Sequence, residues 1–191
     1  SETAKLMENT YRAVNIAFID EWTKYAEAVG IDMFEVIDAI RVRPTHSNIR
    51  FPGIGVGGYC LTKDPAFTPA AAHQLLDHQD LDFPFSRLAL QINQAMPLHT
   101  MARLTGLLGG SCLEKKILLL GVSYRQDVGD TRYSPVETLA HALLQVGAEV
   151  QAFDPFVTEW PEMGWHLPSR LPSPMSFDAV VFATPHRDFL E

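Results

Sequence analysis

A run of glycines followed by a thiol, an ammonium and a carboxylate is the part of this sequence best suited to chemistry. Residues 52–63, here called the glycine loop, contain four glycines together with Cys60 and Lys63, and Asp64 follows directly. Glycines leave backbone amides uncovered and let the chain approach a ligand closely. We interpret the segment as a substrate loop that carries a nucleophilic cysteine, Cys60. The alternative is a flexible loop with a buried thiol.

The spacing of Gly53, Gly55 and Gly58 also matches the bare string of a dinucleotide-binding fingerprint. That fingerprint requires a strand before the glycines, a helix that begins among them and an acidic residue about 20 positions later. Only residues 49–51 precede the run, and Asp64 is followed by proline. We therefore reject a cofactor loop at this position.

Composition and charge restrict the class of protein. The 191 residues are 47% hydrophobic and 20% charged, which is ordinary for a globular protein of one or two domains. The net charge of −8 argues against nucleic acid as a partner, because a basic patch is then expected. No apolar run reaches roughly 18 residues and no signal peptide opens the chain, so we expect a cytoplasmic protein outside the membrane. The spacing of His and Cys predicts no metal site, and Cys112 is interpreted as structural.

Two long helices are predicted in the first half. Apolar side chains recur every three or four positions over residues 4–29 and again over 84–108, which is the spacing of one helix face. Pro97 is placed to bend or interrupt the second helix, whose apolar face we interpret as a packing surface. Two such helices leave more apolar surface than a small helical layer covers, so we expect a twofold homodimer through them. In the first helix that face consists of Met7, Tyr11, Val14, Phe18, Trp22 and Tyr25.

Shorter helices are predicted around the glycine loop. Gly30 ends the first long helix, and Asp32 caps a second helix that runs to about Arg41. Asp64 is predicted to cap a further helix that ends near Leu76, because proline follows it at the first helical position.

Beyond residue 110 the periodicity changes to that of an α/β domain. Strands are predicted at residues 115–121, 148–153 and 178–184 and a helix at 135–146, which together form a partial, Rossmann-like parallel sheet. The turn after the first strand lacks the glycines of a dinucleotide site. We therefore predict a helical central domain over residues 1–110 and a truncated α/β domain over 111–191.

The sequence from Pro52 to Asp64, Pro-Gly-x-Gly-Val-Gly-Gly-x-Cys-x-x-x-Asp, resembles the active-site signature of the UDP-glucose/GDP-mannose dehydrogenase family. These enzymes use NAD to oxidise the C6 hydroxyl of a nucleotide sugar to a carboxylate. Residues 3–18 resemble the helix that opens the family's central domain, and residues 116–135 resemble the start of its C-terminal domain. The resemblance implies that NAD is bound mainly by an N-terminal domain absent from this chain.

The resemblance also implies catalytic roles. Lys5 and Asn9 match the family's catalytic lysine and asparagine, and their spacing of four puts both donors on one helix face. They would donate hydrogen bonds to an oxygen that gains negative charge. Cys60 would be the nucleophile, with Lys5 or Lys63 favouring its thiolate, and Asp64 would orient a water for attack.

Contacts to substrate and cofactor follow from the same resemblance. Substrate contacts are expected from Phe51, Gly53, Ile54, Gly55, Gly57, Tyr124 and Arg125. Arg125 stands where the family has lysine, and its planar fork changes the geometry of that contact. Lys63 and Arg132 are expected to contact the cofactor. The alternative for Arg132 is a pair with Asp130 inside a polar turn.

We therefore predict a fragment of an NAD-dependent nucleotide-sugar 6-dehydrogenase that works through a Cys60 thiohemiacetal and thioester. Without its NAD domain the fragment is expected to be inactive. The residues before Cys60 favour a UDP-N-acetylhexosamine, whereas Leu61-Thr62-Lys63 favours UDP-glucose or GDP-mannose. One alternative is a non-catalytic helical dimerisation module with an attached α/β domain. Another is a relative of the 3-hydroxyacid dehydrogenases, which share the Lys-x-x-x-Asn helix but need no such cysteine.

Overall fold

The computed structural model describes residues 1–189, which divide into a unit of residues Ser1–Ala95 and a unit that begins at Met96. The first unit is helical, and the second is built on a small parallel sheet. This confirms the predicted fold class. The predicted boundary at residue 110 stays a prediction.

The first two helices begin and end at the residues that the sequence indicates. Helix α1 (Glu2–Val29) ends at Gly30, whose φ of 74° lies in the left-handed region that glycine adopts most easily. Helix α2 (Met33–Arg41) is capped by Asp32. The Asp32 carboxylate accepts a hydrogen bond of 2.8 Å from the backbone N–H of Phe34, so the predicted cap is confirmed.

Helix α1 buries its small side chains and exposes its aromatic ones. Ala13 and Ala17 pack against Ala89, while Ile19 and Ala26 pack against α2. The face that the periodicity marks is largely solvent-exposed, with exposed fractions from 47% to 76% for Met7, Tyr11, Phe18, Trp22 and Tyr25. We call Tyr11, Phe18, Trp22 and Tyr25 the aromatic stripe. Among the described residues, no helix is both long enough and apolar enough to cross a membrane.

Two predictions concern proline-containing helices. The predicted cap of helix α3 (Asp64–Gln74) is wrong, because Asp64 is the first helical residue and its carboxylate contacts another helix instead. Helix α4 (Pro84–Leu107) continues past Pro97, so an interruption there is wrong, whereas a bend at Pro97 stays a prediction. The predicted packing face of α4 is only partly buried, because Met96 is 2% exposed whereas Phe85 is 74% exposed.

The second unit contains the predicted parallel sheet. Strand β1 (Lys116–Leu120) lies between β2 (Glu149–Phe153) and β5 (Ala179–Phe182), and both pairings are parallel. Side chains of β1 are buried on both faces, as expected for the central strand of a parallel sheet. Helix α5 (Pro135–Gln145) packs against β2. In the described part of the chain no strand precedes residue 116, which agrees with rejecting a dinucleotide fingerprint at Gly53.

The segment between β2 and β5 contains a second, smaller sheet. Strands β3 (Glu159–Trp160) and β4 (Trp165–His166) form a short antiparallel hairpin. The ring of Trp160 is fully buried and packs edge-on against the ring of Trp165 at 5.6 Å. A strand of two residues is too short to show the alternation of apolar and polar residues that marks a strand, so the sequence pattern does not predict this hairpin.

Candidate active site

Asp64 is the centre of a polar contact between α1 and α3. It is 2% exposed, and its Oδ2 accepts a hydrogen bond of 2.7 Å from Asn9 Nδ2. The ammonium of Lys5 lies 3.8 Å from the same oxygen, and the Lys5 side chain is 63% exposed. Lys5 and Asn9, which the resemblance singled out together with Asp64, thus contact a residue that is at least 55 positions away in sequence.

Cys60 lies in the turn just before α3. Its carbonyl oxygen accepts hydrogen bonds from the backbone N–H groups of Lys63 (3.2 Å) and Asp64 (2.8 Å). The cysteine is exposed, whereas Cys112 is buried with its Sγ 3.3 Å from Thr105 Oγ1. The alternative of a buried thiol in the glycine loop is therefore wrong, and the described structure places an accessible thiol one turn ahead of the buried Asp64.

The glycine loop has an irregular backbone that two of its glycines require. Gly55 (φ 137°) and Gly58 (φ 79°) adopt conformations that other residues rarely take. Just ahead of the loop, Phe51 stacks on Phe34 with ring centroids 5.2 Å apart, and the guanidinium of Arg41 lies 3.9 Å from the Phe51 ring. Of the other expected substrate contacts, Ile54 and Gly57 are half-buried and Gly53 is exposed.

Lys63 is engaged with aromatic rings. Its ammonium lies 3.2 Å from the ring centroid of Tyr59 and 5.5 Å from that of Phe67. Such cation–π contacts hold a cation in place without neutralising it. Activation of the Cys60 thiol by Lys63, and contact of Lys63 with a cofactor, stay predictions.

Sequence reasoning missed Asp20, a buried acid on α1. Asp20 is fully buried, and among the described residues neither carboxyl oxygen has a hydrogen-bond partner. Burial raises its pKa to about 7, against the opposing effects of the Lys24 ammonium and the nearby backbone N–H of Gly53. A signal was present, because Asp20 continues the helix face formed by Lys5, Asn9, Ala13 and Ala17.

The second unit carries the other predicted contact residues on the turn that follows β1. Tyr124 is half-buried, and Arg125 is exposed. The guanidinium of Arg132 forms a bidentate pair with Asp130, at 3.0 Å (Nε–Oδ1) and 2.8 Å (Nη2–Oδ2), and this pair lowers the pKa of Asp130. The pairing anticipated as the alternative for Arg132 is present, and a cofactor contact by Arg132 stays a prediction.

Asp154 holds the beginning of that turn. It follows β2, and its Oδ2 accepts hydrogen bonds from Val122 N (2.8 Å), Ser123 Oγ (2.8 Å) and His186 Nε2 (3.0 Å). Burial acts to raise the pKa of Asp154, but the donors around it, first the Val122 N–H, hold the pKa below its ordinary value. These contacts occupy the acid that a dinucleotide fold would use for a ribose.

Ser123, His186 and Asp154 are the residue types of a hydrolytic triad but lack its geometry. Ser123 Oγ donates to Asp154, whereas a nucleophilic serine donates to the histidine. His186 Nδ1 accepts from the backbone N–H of Asp127 at 2.9 Å, which requires the imidazole proton to be on Nε2. All three side chains are buried, so the cluster is a structural network that ties the turn to the segment after β5.

Comparison with known families agrees with these two units. The model of the UDP-glucose/GDP-mannose dehydrogenase family central domain matches residues 1–95, and the model of the family's UDP binding domain matches residues 118–191. The chain therefore belongs to the UDP-glucose/GDP-mannose dehydrogenase family, as the resemblance implied.

Individual relatives are dehydrogenases of nucleotide sugars. The UDP-N-acetyl-D-mannosamine dehydrogenase of Pyrococcus horikoshii is 35% identical over 99% of this chain and 43% of its own length. The crystal structure of the NDP-N-acetyl-D-galactosaminuronic acid dehydrogenase of Methanosarcina mazei is 30% identical, with a TM-score of 0.85 over 98% of this chain and 41% of that one. The UDP-glucose 6-dehydrogenase of Rickettsia prowazekii is 27% identical over 100% of this chain and 45% of its length. The chain thus spans less than half of each relative.

Proposed function

We propose that this chain supplies the catalytic cysteine and part of the substrate site of an NAD-dependent nucleotide-sugar 6-dehydrogenase. The observation that carries the proposal is the contact of Lys5 and Asn9 with the buried Asp64, one turn from the exposed Cys60. A thiol, a shielded carboxylate, an amide and an ammonium are the groups that would carry out an oxidation through a thioester. Family membership supports the same activity.

We propose that the described residues of this chain do not form an NAD site on their own. The glycine loop follows no strand in the described part of the chain, and Asp154 is already occupied by protein donors. In the described range, no three His, Cys, Asp or Glu side chains are grouped to hold a metal ion. We propose that NAD is bound mainly by a domain outside this chain, with Lys63 and Arg132 as peripheral contacts. When bound, NAD would accept one hydride in each of two oxidations.

In the first oxidation, Lys5 and Asn9 would stabilise charge on the substrate oxygen. As the C6 hydroxyl loses its proton to water and a C6–H bond breaks, negative charge develops on that oxygen before the aldehyde forms. Donors held on a rigid helix cost little reorganisation at that moment. The exposed ammonium of Lys5 is suited to this role. Asn9 both donates to Asp64 and keeps a second amide hydrogen.

Cys60 would then carry the substrate through the second oxidation. Its thiolate adds to the aldehyde carbon, a C–S bond forms, and the oxygen takes up a proton to give a thiohemiacetal. Loss of a second hydride and of the hydroxyl proton gives a thioester. Asp64 would orient the water that attacks the thioester carbon. The C–S bond breaks, one water proton returns to the thiol, and the product leaves as a carboxylate with release of the other proton.

We propose a UDP-N-acetylhexosamine as the substrate. The relatives named for N-acetylated sugars are 35% and 30% identical to this chain, against 27% for the relative named for UDP-glucose. The glycine pattern before Cys60 favours the same branch. The cytoplasmic location remains a prediction.

We also propose that the chain forms a homodimer through its long helices. The aromatic stripe is exposed, and Trp22 packs edge-on against Tyr25 at 5.8 Å. These two residues line a surface pocket of about 330 Å³ with Glu21. Phe85 at the start of α4 is exposed as well, and contiguous exposed apolar surface usually marks an interface. Sedimentation as a monomer at tens of micromolar would argue against this dimer.

The competing function is a non-catalytic dimerisation module. The exposed aromatic stripe suits that role equally well. The accessibility of Cys60 does not distinguish the two functions, because Cys112 is buried and should react slowly in either case. Protection of Cys60 by a ligand does distinguish them.

Thiol labelling of the 191-residue chain tests the proposal. We expect UDP-N-acetylhexosamine to slow the alkylation of Cys60, measured by peptide mass spectrometry, because the sugar occupies the glycine loop. Uridine alone is the matched control ligand and should protect less. Cys112→Ser leaves Cys60 as the single thiol and should behave like the wild type. Identical Cys60 rates with and without the nucleotide sugar, up to millimolar concentration, would favour the dimerisation module.

A further inference from the structure

Asp20 is a fully buried acid that the function proposed above does not use. Neither of its oxygens completes a hydrogen bond to a described residue. A buried polar group without a partner destabilises a fold by about 1–3 kcal/mol. Such groups occur mainly where function or a neighbouring element requires them.

The position of Asp20 on α1 relates it to the glycine loop. Asn9 and Asp20 lie on the same face of the helix, and Ala13 and Ala17 between them are buried as well. At one end of this face Asn9 donates to Asp64, which follows the loop. At the other end the carboxyl of Asp20 faces the backbone N–H of Gly53, at the beginning of the loop. The loop therefore runs along α1 in the opposite direction and meets a buried polar side chain at each end.

We propose that Asp20 is a positioning residue: its carboxyl holds the beginning of the glycine loop on α1, as Asn9 holds the residue that follows the loop. That this loop binds a nucleotide sugar rests on the function proposed above. That Asp20 holds the loop rests on its burial without a hydrogen-bond partner, on its place on the helix face of Asn9, and on the nearby Gly53 N–H.

The protonation state of Asp20 decides how well it holds the loop. Among the described residues, the groups that act on its charge are the Lys24 ammonium, one turn further along α1, and the Gly53 N–H. Neither compensates for burial, so the pKa stands at about 7 and the neutral carboxyl is the stable buried form below that pH. Above it, the buried charge favours any opening that lets water reach Asp20.

The expected pH dependence follows from linkage. Because the carboxyl regains its ordinary pKa of 3.8 when the loop opens and has a pKa of about 7 when it is closed, the opening equilibrium should rise about tenfold between pH 6 and pH 8. Asp20→Asn keeps the shape and removes the charge. Its loop should therefore open equally at both pH values.

Hydrogen exchange of the 191-residue chain, followed by mass spectrometry at pH 6 and pH 8, measures this difference. For peptides that cover residues 53–58, we expect the ratio of the wild-type rate to the Asp20→Asn rate to rise about tenfold from pH 6 to pH 8. The intrinsic effect of pH on exchange cancels in that ratio. Glu21→Gln is the matched control, because Glu21 is the neighbouring but exposed carboxylate, and it should follow the wild type. Asp20→Leu should loosen the loop at both pH values.

The outcomes separate the two proposals. An unchanged ratio, or a rise of equal size in peptides of α2 and α3, would overturn the positioning role of Asp20. A UDP-N-acetylhexosamine added at pH 6 should protect Cys60 in both the wild type and Asp20→Asn. If the ratio rises as expected but no protection is seen in either protein, the proposed function fails and the role of Asp20 stands.

Discussion

The buried acids of the two units are surrounded in opposite ways. In the second unit Asp154 accepts hydrogen bonds from the backbone and side chains of Ser123 and from His186, and every member of the network is buried. In the first unit Asp64 contacts the exposed ammonium of Lys5, and Asp20 has no hydrogen-bond partner among the described residues. Buried aspartate carboxylates therefore have their hydrogen-bonding capacity fully used in the second unit and only partly used in the first.

This difference separates structural polar groups from those free to do chemistry. A buried network with every donor paired specifies a conformation and has no capacity left for a ligand. A shielded carboxylate whose neighbours reach solvent can exchange those contacts for a substrate or a water. The residue types alone mislead, since Ser123, His186 and Asp154 look more like a catalytic set than Lys5, Asn9 and Asp64 do.

The largest expected effect is the loss of carboxylate production when the thiol of the first unit is removed. In a full-length protein that contains this chain together with an NAD domain, Cys60→Ser should abolish carboxylate production. A serine hydroxyl without a paired base is a far weaker nucleophile than a thiol with partial thiolate character. Intact-mass analysis of Asp64→Asn, incubated with UDP-sugar and NAD, should show an adduct of nucleotide-sugar mass on Cys60. Undiminished carboxylate production by Cys60→Ser would remove the thiol from the mechanism.

The next largest effect concerns the stability of the second unit. Asp154→Ala leaves the N–H of Val122, the hydroxyl of Ser123 and the imidazole of His186 without their acceptor. We expect the free energy of unfolding of this unit to fall by about 3–5 kcal/mol. Chemical denaturation, followed by hydrogen exchange in β1, measures it. Glu149→Ala, an exposed acid on β2, is the control and should change little. A comparable loss in both variants would mean that the network contributes nothing specific.

A smaller effect is expected where a donor is lost but the nucleophile remains. In the same full-length protein, Lys5→Ala should slow both oxidations by about 10²–10³, the range for loss of one oxyanion donor. Lys24→Ala removes a cation from the same helix away from Asp64 and should retain most of the activity. Single-turnover reduction of NAD resolves the two oxidations. Slowing of thioester hydrolysis alone would assign Lys5 to a different step.

The smallest effect is that the stability of the two units should change in opposite directions with pH. The pKa of Asp154 is lowered by its donors, so its contribution to stability is present above its ordinary pKa and is lost as the pH falls below 3.8. Asp20 has a raised pKa, and its contribution is lost as the pH rises through about 7. Segment-resolved hydrogen exchange should therefore show β1 loosening in acid and the glycine loop loosening, by about tenfold, between pH 6 and pH 8. Parallel behaviour of both segments would contradict the comparison.

Much of this architecture follows from local sequence signals. Gly30 and Asp32 mark the junction of α1 and α2 because a left-handed glycine and a capping carboxylate are local requirements. The strands of the second unit are readable as apolar runs between turn residues. The glycine loop and its cysteine are recognisable from residue types and spacing alone.

The features that escaped prediction depend on contacts distant in sequence. Asp64 has the spacing of a helix cap, but Asn9 draws its side chain to α1. Asp20 is buried, and the helix face that it shares with Ala13 and Ala17 is the one sequence signal of that burial, since its residue type indicates an exposed position. The periodicity of α1 marks the aromatic stripe rather than the buried face, because packing against Ala89 selects small side chains.

The spacing of Asn9 and Asp20 along α1 sets the distance between the two ends of the glycine loop. Asn9 and Asp20 are eleven positions apart, which is about 16 Å of helix. Gly53 and Asp64 are also eleven positions apart, and an extended chain of that length reaches about 36 Å. The loop is therefore longer than the stretch of helix that it follows, and its middle must curve away from α1. A residue inserted in the loop would only make this curve larger. A residue inserted in α1 between Asn9 and Asp20 would rotate one of these side chains by about 100° relative to the other, so that they would no longer share a helix face.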